Sequence, residues 1–309
     1  MKRVLITGAS GFIGSYLADY LKNHFSDEYE LVLLSSKSIP GYLNINTQNH
    51  AFTPTSFEVL KGKRIDVLIH LGAFSPKKPN DVDDYQKNCS SIESTVQLLN
   101  SIPNVPELVI LGSSISVYGN FSGNENNLPR SVDESTKPSP ANAYGLAKYC
   151  TELVVRDWCK RNNCKYHILR FAPIYGEGDK RSQFVYTMMK QVIEGNDIDI
   201  YAPAGMVRNL LHVEDCCRFI EKSMQSQIDF DIVNLVSSTG LPIEEIGRKI
   251  ANFGENTKCN VRTCATNGQT MNFDFSMREK IFGVEVIGFD EGMRRVYKYI
   301  ESRNKNNLD

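Results

Sequence analysis

The sequence predicts an α/β fold, a parallel sheet with helices on both faces and a smaller second lobe, on three observations. Short apolar runs alternate with amphipathic stretches through the first half of the chain. Three glycines crowd the junction directly after the first of those runs. The second half loses the regular alternation. Strand-like and helix-like segments in alternation mark a parallel sheet, because a parallel strand can return only through a crossover, usually a helix.

In chain order, residues 3–7, 31–34, 67–71, 108–111 and 166–171 read as buried strands, and residues 12–21, 82–102 and 144–162 as helices between them. The less regular half holds helical patterns at 184–194, 213–225, 242–253 and 290–301, with a strand at 231–236. Residues 120–140, rich in Asn, Ser, Pro and Gly, form a long loop of the kind kept for binding. There is no internal repeat, and only a polar tail follows Ser302. The expected division is a first domain of residues 1–170 to which 207–236 return, and a discontinuous C-terminal lobe of 171–206 and 237–309.

A chain of 309 residues, 41% hydrophobic, can bury a core of that size. Lys and Arg number 35 against 36 Asp and Glu, a net charge of -1 with no long run of one sign, so no footprint for nucleic acid or an anionic membrane is visible. No apolar stretch approaches the roughly 20 residues that cross a bilayer, and the glycines come too early for a secretory signal. The expected location is cytoplasmic. Eight cysteines include the neighbours Cys216 and Cys217 and the spaced pairs Cys159/Cys164 and Cys259/Cys264. None has histidines at zinc-ligand spacing, so they read as reduced structural thiols and no metal is expected.

Gly8, Gly11 and Gly14 lie in "ITGASGFIGS", between the first strand and the first helix. At such a turn glycine lets backbone N–H groups approach a pyrophosphate while the helix N-terminus faces its charge. The context points to dinucleotide binding. Which dinucleotide is decided after the second strand, where an NAD site usually places a carboxylate on the adenosine ribose 2'-OH. The segment "LVLLSSKS" offers Ser35, Ser36 and Lys37 there. A carboxylate about 4 Å from a 2'-phosphate would repel it by roughly 1 to 4 kcal/mol per unit charge, whereas hydroxyls and an ammonium attract it. NADP(H) is therefore expected, with NAD(H) the alternative.

The second constellation is "SSISVYG", Ser113 to Gly119, followed by "YGLAK", Tyr144 to Lys148. Tyr144 and Lys148 share a helix face. The same spacing recurs at Tyr186 and Lys190, but Tyr144 opens its helix after a Pro-rich loop while Tyr186 lies inside an amphipathic stretch. A tyrosine with a pKa near 10 needs to lose about three units to shuttle protons near pH 7, and one ammonium about 4 Å away supplies energy of that order. Ser114 can then hold a carbonyl or carbinol oxygen while a nicotinamide exchanges hydride at carbon.

These segments resemble the extended short-chain dehydrogenase/reductase enzymes that act on nucleotide sugars as epimerases, dehydratases and reductases. "TGASGFIG" is similar to their cofactor loop, "DVLIHLGA" to their fourth strand, and "SSISVYG" with "YGLAK" to their Ser, Tyr and Lys. "LRFAPIYGEGD" resembles the segment entering the substrate lobe, "RNLLHVEDC" the family's Arg-Asp-x-x-His-Val-x-Asp, and "NLVSSTGLPIEEI" the strand and helix that follow. The resemblance implies a Rossmann domain for NADP(H) and a lobe for a nucleoside-diphosphate sugar. It places the cofactor against Gly8, Ser10, Gly11, Phe12, Ile13 and Gly14, against Ser35, Ser36 and Lys37, and against Leu71, Gly72 and Ala73, with Tyr144 and Lys148 touching it as well. Ser114, Tyr144 and Lys148 take the catalytic places, and Ser75, Ser114, Ser116 and Arg208 the substrate side, Arg208 toward the diphosphate. His212 and Asp215 read as structural. Relatives with two paired helices per subunit imply a homodimer through residues 82–102 and 144–162.

Departures from the pattern narrow the reaction. Sugar 4,6-dehydratases carry an Asp-Glu pair where this chain has Ile115 and Ser116, so elimination lacks its proton donor. Enzymes resembling GDP-fucose synthase carry a cysteine at the place of Ser116 and a histidine near Gly178, and both are missing. Two reactions remain: reduction of a 4-keto-6-deoxy sugar by NADPH, and 4-epimerisation on a retained NAD. The residues at the second strand favour the first. A cofactor-binding sensor without turnover is disfavoured because Tyr144 and Lys148 are both present. Pro173, where many relatives have a substrate-contacting Asn, leaves base and sugar undetermined.

Overall fold

The structure is a computed structural model that describes residues 1–46, 54–76, 79–119, 130–179, 184–202, 205–254, 257–263 and 271–306. Its centre is a sheet of seven strands, β1 Lys2–Thr7, β2 Tyr29–Ser35, β3 Leu43–Asn46, β4 Val67–His70, β5 Leu108–Ser114, β6 Lys165–Phe171 and β7 Ile232–Leu235. Their spatial order is β7-β6-β5-β4-β1-β2-β3, and every neighbouring pair is parallel. The order reverses between β1 and β4, and a doubly wound sheet opens its ligand crevice at that reversal.

Successive residues of β1 face opposite sides. Val4 and Ile6 join a core with Leu17, Ala18 and Leu21 of helix α1 (Phe12–His24), while Leu5 joins another with Leu98 and Leu99 of α2 (Tyr85–Ser101) and Val155 and Cys159 of α3 (Ala143–Arg161). Both faces are covered, which is why the strands read as near-continuous apolar runs. A further core gathers Val185, Met188 and Met189 of α4 (Phe184–Ile193), Ile246 and Ile250 of α6 (Ile243–Ala251), and Met293, Val296 and Ile300 of α8 (Phe289–Asn306). Helix α5 (Val213–Gln225) returns to the sheet, placing Cys216, Cys217, Phe219 and Ile220 against the α1 face.

Three departures from the sequence-based expectation have physical causes. Helix α2 starts at Tyr85 rather than at residue 82, because Pro79–Asp83 forms a tight 3-10 turn and Asp84 caps the helix by accepting from the Lys87 N–H at 3.0 Å. The strand Leu43–Asn46 adds an edge that its half-exposed, Asn-rich sequence conceals. Finally, residues 237–309 do not all stay in the lobe: α7 (Ser276–Phe282) packs Phe282 against Phe219, ring centroids 5.2 Å apart, in the sheet-side core. Among the described residues, no helix is long and apolar enough to cross a membrane, no group of His, Cys, Asp and Glu is arranged to hold a metal ion, and no disulfide joins the cysteines.

Candidate active site

The glycines of the first turn are required by backbone contact. Gly8 has φ +68°, and a Cβ there would lie 2.8 Å from the Gly72 Cα and N. A Cβ on Gly14 would collide with the Gly8 carbonyl, whereas one on Gly11 would meet only that carbonyl, at 3.1 Å. So Gly8 and Gly14 let β1, α1 and the turn after β4 close on one another, and exposed Gly11 leaves the space above the helix end clear. Gly11 is also the N-cap of α1 and offers no capping side chain, and the first turn carries no acid. The positive end of the helix dipole is thus left to an anion from outside. These features fit a dinucleotide pyrophosphate.

The floor of the cradle is a buried hydrogen-bond chain. The Gly72 N–H donates to Thr7 Oγ1 at 2.9 Å; Thr7 Oγ1 lies 2.7 Å from His70 Nδ1, and His70 Nε2 lies 2.9 Å from Thr95 Oγ1. Thr95 gives its proton to the Ser91 carbonyl at 2.7 Å, so it accepts from His70 Nε2–H, and Nδ1 accepts from Thr7. Burial, aided by the Lys148 charge, pushes the His70 pKa down to about 3, so the ring is neutral. The same helix fixes the following loop, where the Phe74 N–H donates to Ser91 Oγ at 2.8 Å. Leu71, Gly72 and Ala73 are half-buried on this turn, and Ser75 beyond them is exposed.

At the end of β2 the structure separates the three residues expected to hold a 2'-phosphate. Ser35 is buried, its hydroxyl donating to the Lys37 carbonyl and accepting from the Lys37 N–H. That hydroxyl is engaged in its own turn, so a contact from Ser35 to a ligand would have to share or open it. Ser36 and Lys37 are exposed, as is Ser10.

Strand β5 and helix α3 carry the candidate catalytic groups. Asn142 caps α3 by accepting from the Gly145 N–H at 2.8 Å, which sets Tyr144 in the first turn. Gly145 packs against the Ser116 carbonyl so closely that a Cβ there would clash, and this draws the start of α3 onto the short turn after Ser114. Ser114 is buried; its Oγ donates to Ser116 Oγ and accepts from the Ser116 N–H, both at 3.1 Å. The Lys148 ammonium donates to the Gly112 carbonyl at 2.9 Å and lies 6.0 Å from the centre of the Tyr144 ring. Burial pushes the Lys148 pKa down to about 8, while the Glu152 carboxylate acts in the opposite direction. A tyrosyl hydroxyl, a lysine and a serine on these two elements can hold an alcohol or ketone oxygen and move one proton to or from it.

On the substrate side, Arg208 is half-buried on a two-residue strand paired with Leu241, and makes no ion pair among the described residues. Burial alone lowers its pKa. His212 caps α5 through Nδ1, accepting from the Glu214 N–H at 3.3 Å, and its Nε2 lies 3.0 Å from Glu177 Oε2. Asp215 accepts from the Ile287 N–H at 2.9 Å and from Arg218 at 3.1 Å. Both have structural partners. Tyr186 packs in the lobe core, and Lys190 pairs with Glu194 at 3.5 Å, so the duplicate Tyr/Lys spacing lies in a different environment.

Sequence reading missed the polar groups behind this site. Glu152 and Arg170 form a buried bidentate pair at 2.9 and 2.7 Å, and Ser113 donates to Glu152 at 2.5 Å. The available signal was a charge inside an apolar run, in "TELVV" and "HILRFA".

A Rossmann sheet with a serine at the end of its fifth strand and a Tyr/Lys pair opening the next helix defines a dinucleotide-dependent enzyme of the short-chain dehydrogenase/reductase type. The family model for the NAD dependent epimerase/dehydratase family matches residues 4–235, and the chain belongs to that family. It is 23% identical to a putative UDP-glucose 4-epimerase of Methanocaldococcus jannaschii, over 98% of this chain and 99% of that one. It is 25% identical to a GDP-6-deoxy-D-talose 4-dehydrogenase of Aggregatibacter actinomycetemcomitans, over 79% of this chain and 77% of that one. Among solved structures, the UDP-glucuronic acid 4-epimerase of Bacillus cereus in complex with NAD superposes with a TM-score of 0.81 at 21% identity, covering 97% of this chain and 99% of that one. The UDP-glucose 4-epimerase of Thermotoga maritima with UDP-glucose gives 0.82 at 20%, covering 98% and 99%.

Proposed function

We propose that this protein reduces the 4-keto group of a nucleoside-diphosphate 4-keto-6-deoxy sugar with NADPH. The observation that carries the reading is the end of β2, where exposed Ser36 and Lys37 stand in place of an acid. The cradle of Gly8, Gly11, Gly14 and Gly72 would hold the dinucleotide, with Ser36 and Lys37 toward its 2'-phosphate. When bound, its nicotinamide supplies hydride to the carbonyl carbon. Ser114 donates a hydrogen bond to the substrate oxygen, and Tyr144 gives that oxygen its proton. Lys148, held by the Gly112 carbonyl, favours the ionised tyrosine left behind and thereby lowers the barrier to transfer. Arg208, half-buried and without an acidic partner among the described residues, faces the diphosphate. The absence of acid and base side chains at Ile115 and Ser116 argues against elimination.

A second reading is 4-epimerisation on retained NAD. The two 4-epimerase structures named above support it, the Bacillus cereus one holding NAD. Mass spectrometry of the dinucleotide released on denaturation separates the two, together with nicotinamide absorbance on adding a 4-keto-6-deoxy sugar nucleotide. An empty or NADP-loaded protein that oxidises NADPH supports the reductase. Bound NAD with no net change in absorbance supports the epimerase.

A further inference from the structure

We propose that Glu152 is a positioning residue that holds the catalytic helix in phase with the strand carrying Ser114. The inference rests on the roles assigned to Ser114, Tyr144 and Lys148, and it concerns a group that touches none of the reacting atoms. Glu152 lies one helical turn beyond Lys148 on α3. One of its carboxylate oxygens accepts from Ser113, the neighbour of Ser114 on β5, at 2.5 Å. Arg170 of β6 grips both oxygens at 2.9 and 2.7 Å and reaches on to the Tyr118 hydroxyl at 2.8 Å, which donates to Asn234 of β7, also at 2.8 Å.

One carboxylate thus ties α3 to β5 directly and to β6 and β7 through Arg170. Gly112 and Ser114 flank Ser113, so the Lys148 acceptor, the Glu152 donor and the catalytic serine are three consecutive residues of one strand. The side chains of Arg170 and Glu152 are 2% and 3% exposed. A buried ion pair is weak evidence for stability, because apolar replacements of similar volume are often neutral or stabilising. What the pair does that apolar groups would not is fix direction: a fork-to-fork pair with a third donor admits one rotation of α3 about its axis. The charged and titratable groups around Lys148 are Tyr144 and Glu152 on its own helix and His70 on β4, which is neutral.

The test compares Ser113→Ala, Glu152→Gln and the double variant Glu152→Leu/Arg170→Met with the wild type. Three quantities are measured: kcat and KM for NADPH-dependent reduction, melting temperature, and the titration midpoint of Lys148. The last is read from its acylation rate against pH by peptide mass spectrometry. The double variant is expected to melt like the wild type yet lose kcat by about tenfold or more with little change in KM, as a displaced catalytic group would. Wild-type melting together with wild-type kcat overturns the proposal. Should the double variant fail to fold, Ser113→Ala decides, since it keeps the ion pair and removes only the tie to β5: a several-fold loss of kcat supports the role, and full kcat refutes it. If the wild type reduces no 4-keto sugar nucleotide, the functional reading falls separately. The Lys148 midpoint then decides, a fall of about half a unit or more in Glu152→Gln supporting the juxtaposition and an unmoved midpoint overturning it.

Discussion

The Lys148 ammonium donates to the Gly112 carbonyl at 2.9 Å, two residues before Ser114 on the same strand, so the strand that presents the serine also aims the lysine. That placement half-buries a cation, and the desolvation pushes its pKa from the ordinary 10.5 down to about 8. Between those values the unfolded chain holds a proton that the folded chain has released, so this group makes stability rise with pH across the window. Below pH 8 the burden is complete. Lys148→Met is therefore expected to gain melting temperature relative to the wild type at pH 7, and to lose that advantage steadily as the pH rises toward 10.5. Calorimetry at a series of pH values checks it. A difference that does not move with pH would mean that Lys148 is not held as an unfavourably buried cation.

Tyr144→Phe removes the proton relay and nothing of the cofactor cradle. Turnover should fall by about 10² to 10⁴-fold while affinity for the dinucleotide, measured by calorimetric titration, stays within a few-fold. Tyr186→Phe is the matched control, because Tyr186 packs in the lobe core beside a lysine engaged by Glu194. Comparable losses at both positions would show that the wrong pair had been assigned.

His70 predicts an acid limb of stability. Its folded pKa of about 3 lies below the ordinary 6.5, so as pH falls through that range the unfolded chain takes up a proton that the folded chain refuses. Stability is lost on acidification between those limits, by on the order of 5 kcal/mol for the full shift. His167, pushed down to about 4 by burial, adds a smaller loss of the same sign. His70→Asn keeps one donor and one acceptor in the chain between Thr7 and Thr95. Denaturant titrations at pH 7 and pH 4 should show a smaller acid loss in the variant than in the wild type. An equal loss would place the acid sensitivity elsewhere.

His70 also marks the limit of what the sequence carries. Buried parallel strands such as residues 67–71 are legible because both faces are apolar, and Tyr144 and Lys148 because a spacing of four on a helix needs no tertiary information. His70, Glu152 and Arg170 are legible only as anomalies: each is a polar residue inside an apolar run whose partner lies 18 to 63 residues away. Local pattern says that such a group needs a partner, and the fold alone says which. Ser35 shows the reverse case. Its place after β2 suggests a ligand, but its hydroxyl closes on Lys37 two residues later, a turn that any serine in that sequence could form or leave open.

Helices α2 and α3 pack side by side and expose Tyr85, Val96, Leu146 and Leu153 at 62%, 40%, 40% and 36%. Apolar side chains on paired helices suit a second copy of the same surface, so a homodimer is expected. Light scattering should return about twice 34.9 kDa for the wild type, and the monomer mass for Leu146→Glu/Leu153→Glu. A wild-type monomer at micromolar concentration would exclude that pairing.

Cofactor choice and reaction type meet at the end of β2. With Ser35 occupied by its own turn, a 2'-phosphate would be held by the exposed Ser36 and Lys37. Charge-assisted hydrogen bonds contribute on the order of 1.5 to 3 kcal/mol each, so NADPH should bind at least about tenfold more tightly than NADH. Ser36→Asp sets a carboxylate against the phosphate, a repulsion of roughly 1 to 4 kcal/mol at about 4 Å, and offers the acceptor that a ribose 2'-OH requires. The preference should vanish or invert, chiefly through weaker NADPH binding. Lys37→Ala should weaken NADPH alone, whereas Ser35→Ala should alter neither affinity much. Titration of both dinucleotides into the four proteins reads all of this without any sugar substrate. A wild type that prefers NADH, unmoved by Ser36→Asp, would shift the balance to the 4-epimerase, because a retained NAD is what that reaction uses and a consumed NADPH is what the reductase needs.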